Sequence, residues 1–236
     1  MTVIAWFTDP ANWSGPNGIP TRTLQHIVIS AAAMVIALVV ALPIGLVLGH
    51  QRRGTTLATN IGNVGRAVPT LGVLIILASI TAIGVGDMAA ILALALFAIP
   101  PLLTNTFTGI AGVDEEVRDA ARGMGMGGSA VLWRVEVPLA VPLLAAGVRT
   151  ATVQVVATAS LAAVVGSGGL GRYVVDGFAL QDSTLIVAGA ILTAAISLAA
   201  EGFMAVVQRV VTPRGIRSAS VTDAQSMDAP GTVTTG

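Results

Sequence analysis

Cysteine and lysine are both absent from the 236-residue chain, and Asp, Glu and Arg together supply only 10% of it. Without cysteine there is no disulfide scaffold, thiolate metal site or Cys nucleophile. Without lysine there is no P-loop, whose Lys must reach the nucleotide phosphates, so ATP is not bound in that way. Soluble domains carry about 25% charged residues, so the scarcity of charge excludes an ordinary soluble enzyme and a disordered protein. The twelve basic residues, all Arg, balance twelve acidic ones, which leaves no basic surface for nucleic acid. No HExxH or paired-carboxylate motif lies in an apolar run, so neither catalytic residues nor metal ligands are expected. What remains is 54% apolar with a mean hydropathy of +0.86, the composition of a polytopic membrane protein.

A helical span needs about 20 mostly apolar residues. Five segments qualify, at about 23–48, 67–85, 88–110, 141–165 and 185–211. They are too long and too uniformly apolar for barrel strands, so the expected fold is an all-α, five-span bundle. Five spans place Arg52, Arg53, Arg66, Arg118, Arg122, Arg134, Arg209, Arg214 and Arg217 on one side, with Arg22 and Arg172 on the other. The positive-inside rule then puts the N-terminus outside and the C-terminus in the cytoplasm. The first apolar run is too long for a signal peptide and has its positive charges after it, so it reads as a retained anchor. A sixth span would have to fit into 166–184, which is Gly-rich and holds Arg172, Asp176 and Asp182. Five is preferred, with a re-entrant half-helix there left open.

Residues 1–22 form an extracytoplasmic segment in which Trp6 and Trp13 read either as headgroup anchors or as incidental aromatics in a flexible tail. From 212 to 236 the composition turns to Ser, Thr, Pro, Gly, Ala and Asp, a disordered cytoplasmic tail. The loop at 111–140 carries eight charges: Asp114, Glu115, Glu116, Arg118, Asp119, Arg122, Arg134 and Glu136. Its acidic opening suits a helix N-terminus. Ala120, Ala121 and Met124 would form an apolar face, and the glycines from 123 to 128 would end the helix. Ser129 is the candidate N-cap of a second helix, 130–137, closed by Pro138. The loop reads as a docking element or as a solvated amphipathic loop without a partner.

At this loop the sequence resembles the permease subunits of bacterial ATP-binding-cassette (ABC) importers. Their signature is Glu-Ala-Ala, three residues, Gly, nine residues, Ile, one residue, Leu-Pro. Here Asp119, Ala120 and Ala121 are followed at that spacing by Gly125, Val135, Val137 and Pro138, with Asp for Glu, Val for Ile and Val for Leu. The resemblance implies that 111–140 forms two coupling helices seated in a partner ATPase subunit. ATP and Mg would be bound there, and this chain would bind no cofactor. An extracytoplasmic binding protein and a second permease subunit, identical or homologous, are the other implied partners, beside membrane lipid.

Gly62-Asn63-Val64, Val68-Pro69-Thr70-Leu71, Ile99-Pro100-Pro101-Leu102-Leu103-Thr104-Asn105, Val148-Arg149-Thr150-Ala151 and Gly166-Ser167-Gly168-Gly169-Leu170-Gly171 resemble the osmoprotectant branch, which handles glycine betaine, choline, proline betaine or carnitine. Methionine-type permeases share the plan and are the alternative. The glycine run also satisfies G-x-G-x-x-G, but no strand–helix unit surrounds it, so it reads as a tight turn or close packing beside the path.

Ionisable residues within spans are functional candidates. Arg149 and Glu201 fall at similar depths and are expected either to pair, or to remain apart with Arg149 reaching the headgroups. Asn105, Gln154, Thr158, Ser160, Ser167, Gly168 and Gly169 line a path or serve packing. Gly45 and Gly49 form a G-x-x-x-G contact motif. Aromatics are 4% of the chain, too few for a cage around a quaternary ammonium, so recognition falls to the binding protein. Two other classes fit less well: an integral membrane enzyme would need a cluster of His or carboxylates, and an ion-driven transporter would need internal repeats and intramembrane carboxylates beyond Glu201.

Overall fold

Pro20 opens the first long helix, in the turn where its missing N–H costs nothing, and the helix runs for 32 residues from Ile19 to His50 (α2). In the computed structural model, which describes residues 2–52, 60, 62 and 68–212, α2 follows a short helix Val3–Thr8 (α1) and a 3₁₀ turn Pro10–Trp13. After it come Thr70–Ser79 (α3), Asp87–Ala111 (α4), Glu115–Gly123 (α5), Gly128–Val131 (α6), Val137–Thr158 (α7), Gly171–Leu180 (α8) and Ser183–Val211 (α9). A π turn, Leu132–Glu136, joins α6 to α7, and a 3₁₀ segment, Ala159–Val165, extends α7. No strand occurs among the described residues. Arg53, Arg66, Asn63, Val64, Ala67, Arg214, Arg217 and the tail from 213 lie outside them.

Four stretches are long and apolar enough to cross a membrane: Ile19–His50, Asp87–Ala111, Gly128–Val165 and Ser183–Val211. The segment expected as the second span contains the 10-residue α3, half of what a crossing needs. The α8 helix is equally short, so it is not a sixth span. The stretch expected at 141–165 starts well before 141, because Pro138 does not end its helix. Val137 donates to the Leu132 carbonyl five residues back, and this one wide turn makes room for the proline ring that a regular α-turn would push against a carbonyl. The cap of α6 is Gly127 instead of Ser129, which falls in the first turn.

The bundle is assembled around α2. Its buried residues Ile29, Ala33, Ala37, Ala41, Gly45 and Gly49 recur every four positions, one face of a helix made almost wholly of small side chains. That face meets α4: a Cβ on Gly45 would lie 2.7 Å from Thr106 Cβ, and one on Gly49 2.7 Å from Ile110 Cβ. Equal steps along both chains make α2 and α4 parallel. On α7, Gly147 faces Asn105 while Leu143, Leu144 and Ala140 face Gly109, so α7 runs antiparallel to them. The core joins Met34, Leu94, Leu102, Leu103, Phe107 and Val155 to these small residues. One end of the bundle carries His50 and the loop 112–136; the other carries Ile19, Asp87 and the glycine run.

Close approach explains these glycines. Gly49→Ala, which forces α2 from α4, should destabilise by about 1–3 kcal/mol. Gly202 on α9 has nothing within 4 Å of an added Cβ, so Gly202→Ala should be neutral or stabilise by about 0.5–1 kcal/mol through backbone entropy. Thermal unfolding in detergent compares the two.

Candidate functional site

Asp114 accepts the backbone N–H of Glu116 and caps α5, with Glu115 and Glu116 in the first turn, where negative charge is favoured. The helix ends in a paired cap. Gly125 N–H donates to the Arg122 carbonyl at 2.8 Å and Met126 N–H to the Ala121 carbonyl at 3.2 Å. This 6→1 and 5→2 pattern requires a left-handed residue between its donors, and Gly125 supplies it with φ +86°. The glycine of the spaced signature is therefore the residue that stops the helix.

Along α5, Arg118 and Ala121 are buried, whereas Val117, Asp119, Ala120 and Met124 face outward. The expected apolar face thus divides: Ala121, next to Ala120 in sequence but rotated by a helical step, holds α5 against the body. The outward apolar residues are Val117, Ala120 and Met124, the last 72% exposed, with Trp133 also exposed nearby in sequence. Val135 and Val137 are half-buried and Pro138 is exposed.

Beneath this face lie charges that sequence reasoning did not single out. Glu136 is fully buried, and its two oxygens meet Arg118 Nη2 at 2.6 Å and His50 Nδ1 at 2.7 Å. Arg52, two residues on and just past the end of α2, donates to Glu115 at 2.8 Å and to the Val113 carbonyl at 2.9 Å. A carboxylate between two valines of an otherwise apolar signature was the available signal.

At the opposite end the glycine run is bound to α2 and α4. Ser167 Oγ–H donates to Asp87 at 2.6 Å and Gly169 N–H to Gln25 at 3.1 Å. Gly166 and Gly169 have φ +80° and +93°. A Cβ on Gly168 would meet Gln25, and one on Gly171 would meet the Ser160 carbonyl at 1.9 Å. His26 is buried and donates from Nε2 to the Val156 carbonyl at 2.8 Å. Trp6 is buried edge-on against Phe7 and Tyr173, and the exposed Trp13 donates to the Phe7 carbonyl. Burial holds the Tyr173 phenol above its ordinary range, with Arg22 opposing, so it donates as a neutral group to the Asn17 carbonyl at 2.7 Å.

In the helices, Arg149 Nε donates to Glu201 at 3.0 Å, its Nη2 also contacts Glu201, and Nη1 donates to Gln208 at 3.1 Å. The same faces of α7 and α9 continue toward the glycine end and line a groove of about 600 Å³ with Ala157, Ser160, Thr193, Ala194 and Ser197. Asn105 does not reach it: its amide donates to the Pro101 carbonyl of its own helix at 2.8 Å, and its Cβ packs on Gly147. Gln154 and Thr158 are half-buried on α7. Among the described residues no group of three His or carboxylates could hold a metal.

A bundle of helices long and apolar enough to cross a membrane, with a capped two-helix loop at one end, defines a membrane protein. The chain belongs to the family of binding-protein-dependent transport system inner membrane components, whose model matches residues 41–214. It is thus a multi-pass inner-membrane permease subunit and not an enzyme. It is 35% identical over 196 residues to a glycine betaine/carnitine/choline transport system permease protein of Bacillus subtilis, covering 83% of this chain and 89% of that one. An osmoprotectant import permease protein of Salmonella typhimurium is 29% identical over 220 residues, covering 92% and 100%. A solved structure of the MetNI methionine ABC transporter in an inward-facing conformation matches with a TM-score of 0.72 at 20% identity, over 87% and 100% of the chains.

Two outcomes follow. An added Cβ at Gly125 meets nothing, so Gly125→Ala should suffer only the left-handed backbone penalty of about 1–2 kcal/mol, enough to fray α5 and lower ATPase-subunit retention in a pull-down. Gly125→Asn, which tolerates that region, should retain more. Glu201→Gln should lower membrane abundance by leaving Arg149 without its charged partner, and Arg149→Gln in the same chain should restore part of it, as read by immunoblot of membranes.

Proposed function

We propose that this chain is the membrane-spanning half of an ABC importer for osmoprotectants of the glycine betaine, choline and carnitine class. The observation that carries the reading is α5: an exposed apolar stripe, Val117, Ala120 and Met124, on a helix stopped by a left-handed Gly125 at the family's spacing. Such a stripe on a charged, capped helix suits a cleft in an ATPase subunit. Closure of that subunit on ATP would move α5, while a binding protein delivers substrate at the opposite end. The substrate class follows from relatives of about one-third identity named for these compounds. The methionine transporters share the fold at lower identity.

Five crossings are supported by direction. Parallel α2 and α4 require the chain to return the length of the bundle between Arg52 and Asp87, with α3 on the way. Arg52, Arg118, Arg122 and Arg134 lie at the loop end, and Arg22 and Arg172 at the other, which favours a cytoplasmic loop and an outside N-terminus. The groove bordered by α7, α8 and α9, which lies toward the glycine end from Arg149 and Glu201, is the proposed path surface, completed by a second permease subunit.

The test is ATP-dependent uptake of labelled glycine betaine and choline at high osmolarity, in cells with and without this gene. Uptake should fall to background in the deletion and in Ala120→Asp with the variant still in the membrane. Unchanged uptake in the deletion would remove the osmoprotectant assignment, and methionine uptake would then decide the alternative.

A further inference from the structure

We propose that Arg118, Glu136 and His50 form a buried clamp that makes α2 the rod carrying motion of the docking helix to the far end of the bundle, with His50 and Glu136 as positioning residues for coupling. The proposal rests on the reading of α5 as the ATPase-docking helix.

The π turn creates the clamp. Val131 and Ala140 are buried on the inward side of this stretch. With regular spacing the residue between them on that side would be Val135. The extra residue in the turn shifts the register, so the inward positions run 131, 136, 140 and a carboxylate takes the place of a valine. Glu136 is 0% and Arg118 2% exposed. A charge with no access to water needs a compensating partner, and Glu136 has two: an ion pair with Arg118 of α5 at 2.6 Å and a hydrogen bond with His50, the last residue of α2, at 2.7 Å.

Apolar contacts are non-directional and permit sliding, whereas breaking a buried ion pair leaves an uncompensated charge. The docking helix is therefore tied to α2 through Glu136, reinforced at the surface by Arg52 on Glu115 and Val113. The other end of α2 is fastened in the same manner: Gln25 accepts from Gly169, and His26 donates to Val156. Between these ties, Gly45 and Gly49 lock α2 against α4. One continuous helix thus connects the docking face to the glycine run by polar ties at both ends.

The test uses the importer reconstituted in liposomes with its ATPase and binding protein, measuring uptake and ATP hydrolysis together. His50 is partly exposed, and His50→Ala leaves Arg118–Glu136 paired, so the bundle should still fold and assemble. Uptake per ATP hydrolysed should fall about fivefold or more, and His50→Gln, whose amide can still donate to Glu136, should recover most of it. In a second variant, Arg118→Met with Glu136→Met replaces the pair by apolar groups, which preserves packing; hydrolysis should persist while uptake falls. An unchanged ratio in His50→Ala, or wild-type uptake in the double variant, would overturn the clamp. Ala120→Asp on the outward face separates the two readings. If it leaves assembly and uptake unchanged, the docking reading fails and the clamp with it; if it impairs them while His50→Ala does nothing, only the clamp fails.

Discussion

Helices in an apolar solvent gain little by hiding leucine from lipid, so they hold together through close approach and the few polar groups that reach across. The contact between α2 and α4 is the clearest case, and the other helices take their places from it. Ala33, Ala37, Ala41, Gly45 and Gly49 present almost no side chain, so the two backbones meet where a single methyl would intrude. The pair is parallel, which forces a long return between its members and sends the remaining long helices to the outer flank of α4. That arrangement puts α7 against α4 at Gly109 and Gly147 and leaves α9 the least buried of the long helices, at 11%.

Charge is scarce, and its location follows from this frame. Both ends of α2 carry polar groups that fasten its neighbours: Gln25 holds the glycine run and His26 holds α7, while His50 and Arg52 hold the loop 112–136. A loop that leaves an apolar bundle must satisfy its backbone donors and acceptors internally or with water. Gly169 and Gly86 do so internally, the first with Gln25 and the second with the Val165 carbonyl at 2.8 Å. Left-handed glycines at 166 and 169 turn the chain sharply enough for those bonds to close. The literal nucleotide-binding pattern at 166–171 is thus the sequence trace of a packed turn: α8 follows it, but the 3₁₀ segment Ala159–Val165 precedes it where that pattern needs a strand.

The helical class and four of the long apolar stretches were legible because hydropathy and length report them directly. The end of α5 was legible because a left-handed cap has a residue-specific cost that glycine avoids. What was hidden depends on register or on distant partners. Periodicity assumes an unbroken 3.6-residue step, so it ended a helix at Pro138, where the chain inserts a wide turn and continues. The same assumption concealed Glu136, whose burial exists only in the shifted register. Adjacent Ala120 and Ala121 look alike in sequence, but one faces outward and the other inward. Trp6 could not be placed without Tyr173, far along the chain, and Gln25, His26 and Asp87 become informative only once the glycine run lies beside them. The α3 segment is apolar enough to suggest a span, yet its helix is only 10 residues long, because composition reports the solvent of a segment more reliably than its backbone.

The groove face of α7 and α9 carries the strongest constraint on what surrounds this subunit. Arg149 and Glu201 have side chains 36% and 39% exposed, within helices long and apolar enough to cross a membrane. An intramembrane ion pair turned to hydrocarbon is costly even when paired, and such residues face a bundle interior or a water-filled cavity. Gln208 adds a third polar group on that side, whereas the groove beyond is lined mainly by apolar side chains, Leu161, Val164, Val174 and Phe178 among them, and the hydroxyls of Ser160, Thr193 and Ser197 donate back to carbonyls three or four residues earlier. On the opposite side of α9, Phe203 and Val210 are exposed and have the composition of a lipid-facing surface. Around the ion pair α9 thus turns a charged face and an apolar face to different sides, and only the apolar one suits hydrocarbon.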